Sequence, residues 1–320
     1  MTVEQLAQGI RAQDRGTLAR ALTLVESQLP GHRQQARQLL KLLGSPAQPG
    51  QRIGVTGPPG AGKSTLIESL GLLALEKGER VGVLAIDPSS QKTGGSILGD
   101  KTRMEQLSRQ PQAYVRPSPA AGALGGVARR TREAILLLEA AGYTSIWVET
   151  VGVGQSEVAV ASLVDTVLLV ALPGAGDDLQ GMKRGLMETA DVVWVNKADS
   201  ERMPAARLTA NQMSLALRLL PSRTAHWTAP VLQGSALERQ GLDELWAKLR
   251  SHFAHLLADG GLQQMRHQQS LYWLSRGLED RLLRNFLAQP EQAQAWHAAQ
   301  ARVAQGLSTP DEALDELLGG

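Results

Sequence analysis

The 320-residue chain contains no cysteine. That absence excludes disulfides, iron–sulfur ligation and thiolate zinc sites, and it agrees with a reducing compartment. Histidine is scarce as well. His32, His226, His252, His255, His267 and His297 show no HExxH spacing and no compact grouping, so they read as solvated or packed side chains rather than metal ligands. No window approaches the roughly 18 apolar residues that a membrane span requires, and the opening MTVEQLAQGIRAQDRG is charged and amphipathic where a secretory signal has an apolar core. The expectation is a cytoplasmic protein with no membrane contact. Nor does one charge dominate: 33 basic against 31 acidic side chains leave +2, too small a field to demand nucleic acid despite a pI near 9.0. What the chain does have is 42% apolar residues, enough for one large or two modest domains with a buried core.

Three regions follow one another. Over residues 1–48, Val3, Leu6 and Ile10, then Leu18, Ala21, Leu22 and Val25, then Leu39, Leu40, Leu42 and Leu43 recur at helical spacing, with Pro30 and Gly31 dividing a helical hairpin. Beyond the linker SPAQPGQ, residues 49–258 switch to short apolar runs alternating with amphipathic helices. The runs are RIGVTG (52–57), RVGVLAID (80–87), AYVRP (113–117), SIWVET (145–150), DTVLLVAL (165–172), DVVWVN (191–196) and APVLQGS (229–235). Continuous apolarity implies strands covered on both faces, hence an α/β domain with a mostly parallel sheet. Residues 259–320 predict only helices, broken at Pro290 and Pro310; their Leu271, Trp273, Leu274, Leu278, Leu282 and Leu283 need a surface to cover them, either the chain's own α/β domain or a dimer partner.

GPPGAGKST (57–65) follows the first strand and opens a helix, the context in which G-x-x-x-x-G-K-[ST] is a phosphate-binding loop. Gly57, Gly60 and Gly62 let backbone N–H groups face the phosphates, with Pro58, Pro59, Ala61 and Thr65 completing the nucleotide loop. Lys63 would bridge the β- and γ-phosphates, and Ser64 would ligate magnesium. Base choice is expected at NKAD (196–199). The Asp199 carboxylate accepts from guanine N1–H and its amino group, whereas adenine offers a lone pair there, so GTP is favoured over ATP. Asn196 would tie this loop to the phosphate loop, and Lys197 would lay its stem along the base. SAL (235–237) would close the pocket with Ser235, Ala236 and Leu237, the Ala236 N–H donating to guanine O6.

Between these motifs lie the γ-phosphate-sensing candidates. Asp87 ends the second strand, and Asp100 sits in TGGSILGDKTRM; both could reach magnesium, directly or through water, or instead cap a helix. In VETVGVGQSE (148–157), Glu149 either senses the cation or caps a turn, Gly152 offers its N–H to the γ-phosphate, and Gly154 lets the loop move. The segment LPGAGDDLQGMKRG (172–185) places Asp177 or Asp178 to cap the following helix, with Gln180 and Lys183 able to swing toward the phosphates when a partner binds. The arginines of VARRTRE (127–133) read as a solvated or carboxylate-paired helix face rather than as an arginine finger.

Taken together, GPPGAGKST, DPSSQKTGGSILGDKTRM, RPSPAAGALGGVARRTRE, ETVGVGQSE, LPGAGDDLQGMKRG, NKAD and SAL resemble, in order and spacing, the MeaB/ArgK family of GTPases, which includes the human methylmalonic aciduria type A protein. The resemblance implies a homodimeric P-loop GTPase that binds GTP and GDP with Mg2+. It also implies association with the adenosylcobalamin-dependent methylmalonyl-CoA mutase, gating cofactor loading and protecting that enzyme. It makes Ser64, Asp87, Asp100 and Glu149 the magnesium and switch set and 172–183 a third switch loop carrying Lys183, and it tips residues 259–320 toward a dimerisation arm. Two rival readings are a kinase linked to lysine/arginine/ornithine transport, for which no acceptor pocket or base is evident, and a metallochaperone-type GTPase, against which the lack of cysteine argues. A third is a nucleotide-dependent scaffold with negligible hydrolysis.

Overall fold

The computed structural model describes residues 1–44, 46, 48–87, 104–119, 124–150, 160–174, 184–258 and 260–319, with only the backbone of 86, 87, 118, 119, 124–126, 184 and 200. The chain divides into two compact units, Met1–His267 and Gln268–Gly320. The division falls within one long helix, nine residues beyond the point at which the pattern turns wholly helical.

In the first unit, the apolar runs form seven parallel strands: β1 (Gln51–Thr56), β2 (Val81–Asp87), β3 (Ala113–Pro119), β4 (Ser145–Thr150), β5 (Thr166–Ala171), β6 (Val192–Val195) and β7 (Val231–Gln233). They hydrogen-bond in the order β3-β2-β4-β1-β5-β6-β7. Alternate residues of each central strand serve opposite faces. Ile53, Val55, Leu168, Val170 and Trp194 join Leu66, Ile67 and Leu70 of α4 (Lys63–Glu76) and Leu245 and Leu249 of α9 (Leu242–Ala258) in one core. Leu169, Ala171, Val193 and Val195 join Met187 of α7 (Arg184–Glu188) and Ala206 and Met213 of α8 (Met203–Arg218) in the other. Both faces are dry, which is why the strands read as unbroken apolar runs.

The N-terminal region is three helices, α1 (Val3–Arg11), α2 (Arg15–Glu26) and α3 (Pro30–Leu43), rather than a two-helix hairpin. The extra break has a local cause. Gln13 adopts φ 61°, and the Asp14 carboxylate accepts from Thr17 N at 2.7 Å, starting a new helix. α2 packs on α6 (Leu124–Ala140), where the Arg116 guanidinium of β3 pairs with Glu26. A short α5 (Glu105–Ser108) precedes β3.

The starts of the strands are fastened by buried ion pairs. Asp165 accepts from Arg52 N and from the Arg266 guanidinium, while Glu139 pairs with Arg52 at 2.7 Å and with Arg266 at 3.1 Å. Asp191 pairs with Arg223 and accepts from Thr224 Oγ1 at 2.7 Å, with His252 Nε2 at 3.3 Å. Arg266 lies in α10 (Gly261–Leu287), which continues into the second unit with α11 (Pro290–Ala304) and α12 (Pro310–Leu318). Pro290 and Pro310 stand in the first turn of their helices, where a missing N–H costs nothing.

Candidate functional site

The site is built where the strands end. Thr56 closes β1, and the chain then turns through Gly57, Gly60 and Gly62 at φ 144°, 77° and 85°. Two of these glycines are required by space as well as by torsion. A Cβ on Gly57 would stand 2.1 Å from Val170 O, and one on Gly62 would stand 2.6 Å from Asn196 Nδ2. Gly62 is the left-handed N-cap of α4 and supplies no side chain to the helix's first N–H groups. Those of Ser64 and Thr65 therefore begin the helix without an intrahelical acceptor, the arrangement that receives anions. Lys63 is buried, its ammonium donating to Gly57 O at 2.8 Å and Pro58 O at 3.0 Å. The lysine thus lies along the phosphate loop itself, with Pro59 and Ala61 in the same turn; Ala61 N donates to Pro58 O at 3.3 Å.

β4 lies between β1 and β2, so Glu149 is in register with Val55 on one side and Ala85 on the other. That position brings its carboxylate, 7% exposed, to the head of α4, where Ser64 Oγ donates to Glu149 Oε1 at 2.6 Å. The contact joins residues 85 apart in sequence. Next to it, Thr150 Oγ1 lies within hydrogen-bond distance of Val55 O at 3.3 Å and of Thr56 Oγ1 at 3.2 Å, holding the two strand ends together. A hydroxyl and a carboxylate at a strand end are hard oxygen donors, which suits magnesium. Among the described residues no group of three or more histidine, aspartate or glutamate side chains gathers around a cation position. The backbone of Asp87 ends β2, two residues past Ala85. Its side chain lies outside the described residues, as do Asp100, Gly152, Gly154, Asp177, Asp178, Gln180 and Lys183.

Asn196, 2% exposed, joins three segments. Its Nδ2 donates to Ala61 O of the phosphate loop at 2.8 Å; its Oδ1 accepts from Ala236 N at 3.0 Å and from Trp194 Nε1 at 3.3 Å. The neighbouring backbone is zipped to the 234–236 turn, Ala198 N donating to Gly234 O at 2.9 Å and Gly234 N to Val195 O at 3.0 Å. Trp194 packs so closely on Gly234 that a Cβ there would meet its ring at 2.3 Å. Lys197 takes φ 57°, uncommon for a side-chain-bearing residue, and its Cε stands 3.9 Å from where a Cβ on Gly62 would lie, so its stem runs over the phosphate loop. Asp199 is half-buried at the mouth of the same loop.

The Ala236 N–H, read from sequence as the donor to guanine O6, donates to Asn196 Oδ1 in this structure, beside the Trp194 indole. Ser235 is buried and accepts from Glu238 N at 3.3 Å, and Leu237 projects from the turn, 80% exposed. Two contributors have no sequence signature. Ser69 Oγ, on α4, donates to Ala236 O at 2.8 Å, and the Trp194 indole orients Asn196. Only the tertiary contact identifies them.

Known proteins resemble this chain over nearly its whole length. Residues 18–291 match the profile of the family described as methylmalonyl-CoA mutase-associated GTPase MeaB. A Mycobacterium tuberculosis protein named as a probable GTPase is 50% identical over 99% of this chain and 94% of its own. A mouse protein named methylmalonic aciduria type A homolog, mitochondrial, is 43% identical over 99% of this chain and 79% of its own. A crystal structure described as that of an LAO/AO transport system kinase superposes with a TM-score of 0.81 at 36% identity, covering 99% of this chain and 96% of that one.

Proposed function

The chain belongs to the MeaB family of P-loop GTPases, and we propose that it hydrolyses GTP in an Mg2+-dependent cycle that controls an adenosylcobalamin-dependent methylmalonyl-CoA mutase. The observation that carries the cation assignment is the Ser64–Glu149 contact at the head of α4. Ser64 and Glu149 would hold Mg2+, with Asp87 and Asp100 as further oxygen donors from the neighbouring loops. When bound, that cation neutralises charge developing on the phosphates. The chain's own groups do the rest. The phosphate loop and α4 receive the phosphate oxygens, Lys63 exchanges its contacts with Gly57 O and Pro58 O for the β- and γ-phosphates, and Asp199 accepts from the guanine edge. Leu237 covers the base from the side opposite Lys197. Gly152 senses the γ-phosphate, and Gln180 and Lys183 answer the mutase.

Hydrolysis is slow without the partner, because among the described residues no glutamine or arginine stands ready to orient an attacking water, and the mutase accelerates it. The mutase role is supported by the family's description and by the name of the mouse relative. A homodimer is supported by Leu271, Leu274, Leu278 and Leu282, 46–70% exposed at helical spacing along α10. The test is γ-labelled GTP turnover with and without purified methylmalonyl-CoA mutase. Label released as inorganic phosphate, faster with the mutase, is the expected result. Label transferred to a protein or to a basic amino acid would favour a kinase, the activity for which the similar crystal structure is named.

A further inference from the structure

The outer face of α8 carries leucines that the nucleotide site does not use. Leu208, Leu215 and Leu219 are 60%, 63% and 86% exposed, while Ala206, Thr209 and Met213 on the inner face are buried. At about 100° per residue, spacings of seven and four place the three leucines within roughly 40° of one another. From Met203 to Leu219 the charged side chains are Arg207 and Arg218 alone, and both fall on one flank of that stripe, about 80–100° from it.

A complementary surface exists at the other end of the chain. On α12, Leu314 and Leu318 are 45% and 72% exposed and repeat the four-residue spacing of Leu215 and Leu219. All the charged side chains of this helix are acidic: Asp311, Glu312, Asp315 and Glu316. Ala313 is buried and Glu316 pairs with Arg302, which fixes the helix on its neighbour and leaves the leucines outward. Asp311 and Asp315 flank these leucines at about 40–80°, on the side opposite in hand to the arginine flank of α8. Two right-handed helices packed face to face in parallel bring flanks of opposite hand together, so a parallel seat sets Asp315 beside Arg218 and interleaves the two leucine stripes.

We propose that α12 of a second copy docks in parallel on the Leu208–Leu215–Leu219 face of α8. The contact rests on the homodimer reading. Because α8 starts four residues after Asp199, it would connect the arm of one copy with the nucleotide pocket of the other.

The cysteine-free chain makes introduced thiols unambiguous probes. One population carries Ser222→Cys, another Leu318→Cys, and the mixed proteins are treated with a short bis-maleimide. A covalent pair between the two populations is expected, falling several-fold when the first also carries Arg218→Glu and recovering when the second carries Asp315→Arg. Failure to couple while light scattering still reports the native dimer would overturn the contact and leave the dimer standing. Equal coupling to Leu42→Cys, an exposed control, would mark random collision and also overturn it. A monomer by light scattering would remove the dimer and the contact together.

Discussion

Asn196→Ala isolates the joint on which the guanine and phosphate loops depend. The substitution removes three hydrogen bonds, to Ala61 O, Ala236 N and Trp194 Nε1, at a position only 2% exposed. Each buried group left without a partner costs about 1–3 kcal/mol. The 3.3 Å indole contact is the weakest, and the other two alone imply a loss of about 2–6 kcal/mol. That is a large share of a typical domain's stability of about 5–15 kcal/mol. Urea unfolding followed by tryptophan fluorescence should show the loss, since Trp194 and Trp147 are both fully buried. Fluorescent GDP should bind at least about tenfold more weakly, a difference of about 1.4 kcal/mol. Asn196→Asp sharpens the test: it keeps the acceptor for Ala236 N but turns a carboxylate toward Ala61 O, so nucleotide affinity should fall further. A stability loss under about 1 kcal/mol with unchanged GDP affinity in Asn196→Ala would refute the reasoning.

Glu149→Gln keeps an oxygen that can accept from Ser64 Oγ while removing the charge, so the fold should persist and the magnesium concentration needed for tight nucleotide binding should rise; an unchanged magnesium titration removes Glu149 from the cation's ligands. Gly62→Ala forces a left-handed conformation worth about 1–2 kcal/mol on a residue with a side chain and drives its Cβ into Asn196 Nδ2, so GDP binding measured by calorimetry should collapse well before the urea midpoint does. At the opposite end of the sheet, burial pushes the Asp191 carboxyl up, but Arg223, His252 and the Val167 N–H outweigh it and hold it below its ordinary value. A depressed folded value stabilises the protein above the unfolded carboxyl's pKa, near 3.9, and that contribution is lost as pH falls further. Asp191→Asn should therefore cost about 3–5 kcal/mol near neutrality, where it breaks a buried pair, and flatten the acid limb of stability against pH. Parallel curves for the two proteins would contradict this.

Sequence alone determined the elements and much of the chemistry, for physical reasons that are local. A strand covered on both faces has to be apolar throughout, so seven such runs announced a parallel sheet, and all seven are strands. Prolines at 290 and 310 marked helix starts because the first turn needs no N–H there. The phosphate loop and NKAD were legible because each is a short contiguous stretch whose conformation and donors are its own. Tertiary structure decided what depends on which strands become neighbours. Placing β4 between β1 and β2 brought Glu149 to Ser64, and the turn after β7 brought the Ala236 N–H to Asn196 Oδ1. The break at Gln13 is equally invisible to periodicity, which records how one face of an element is patterned but not which surface will meet it.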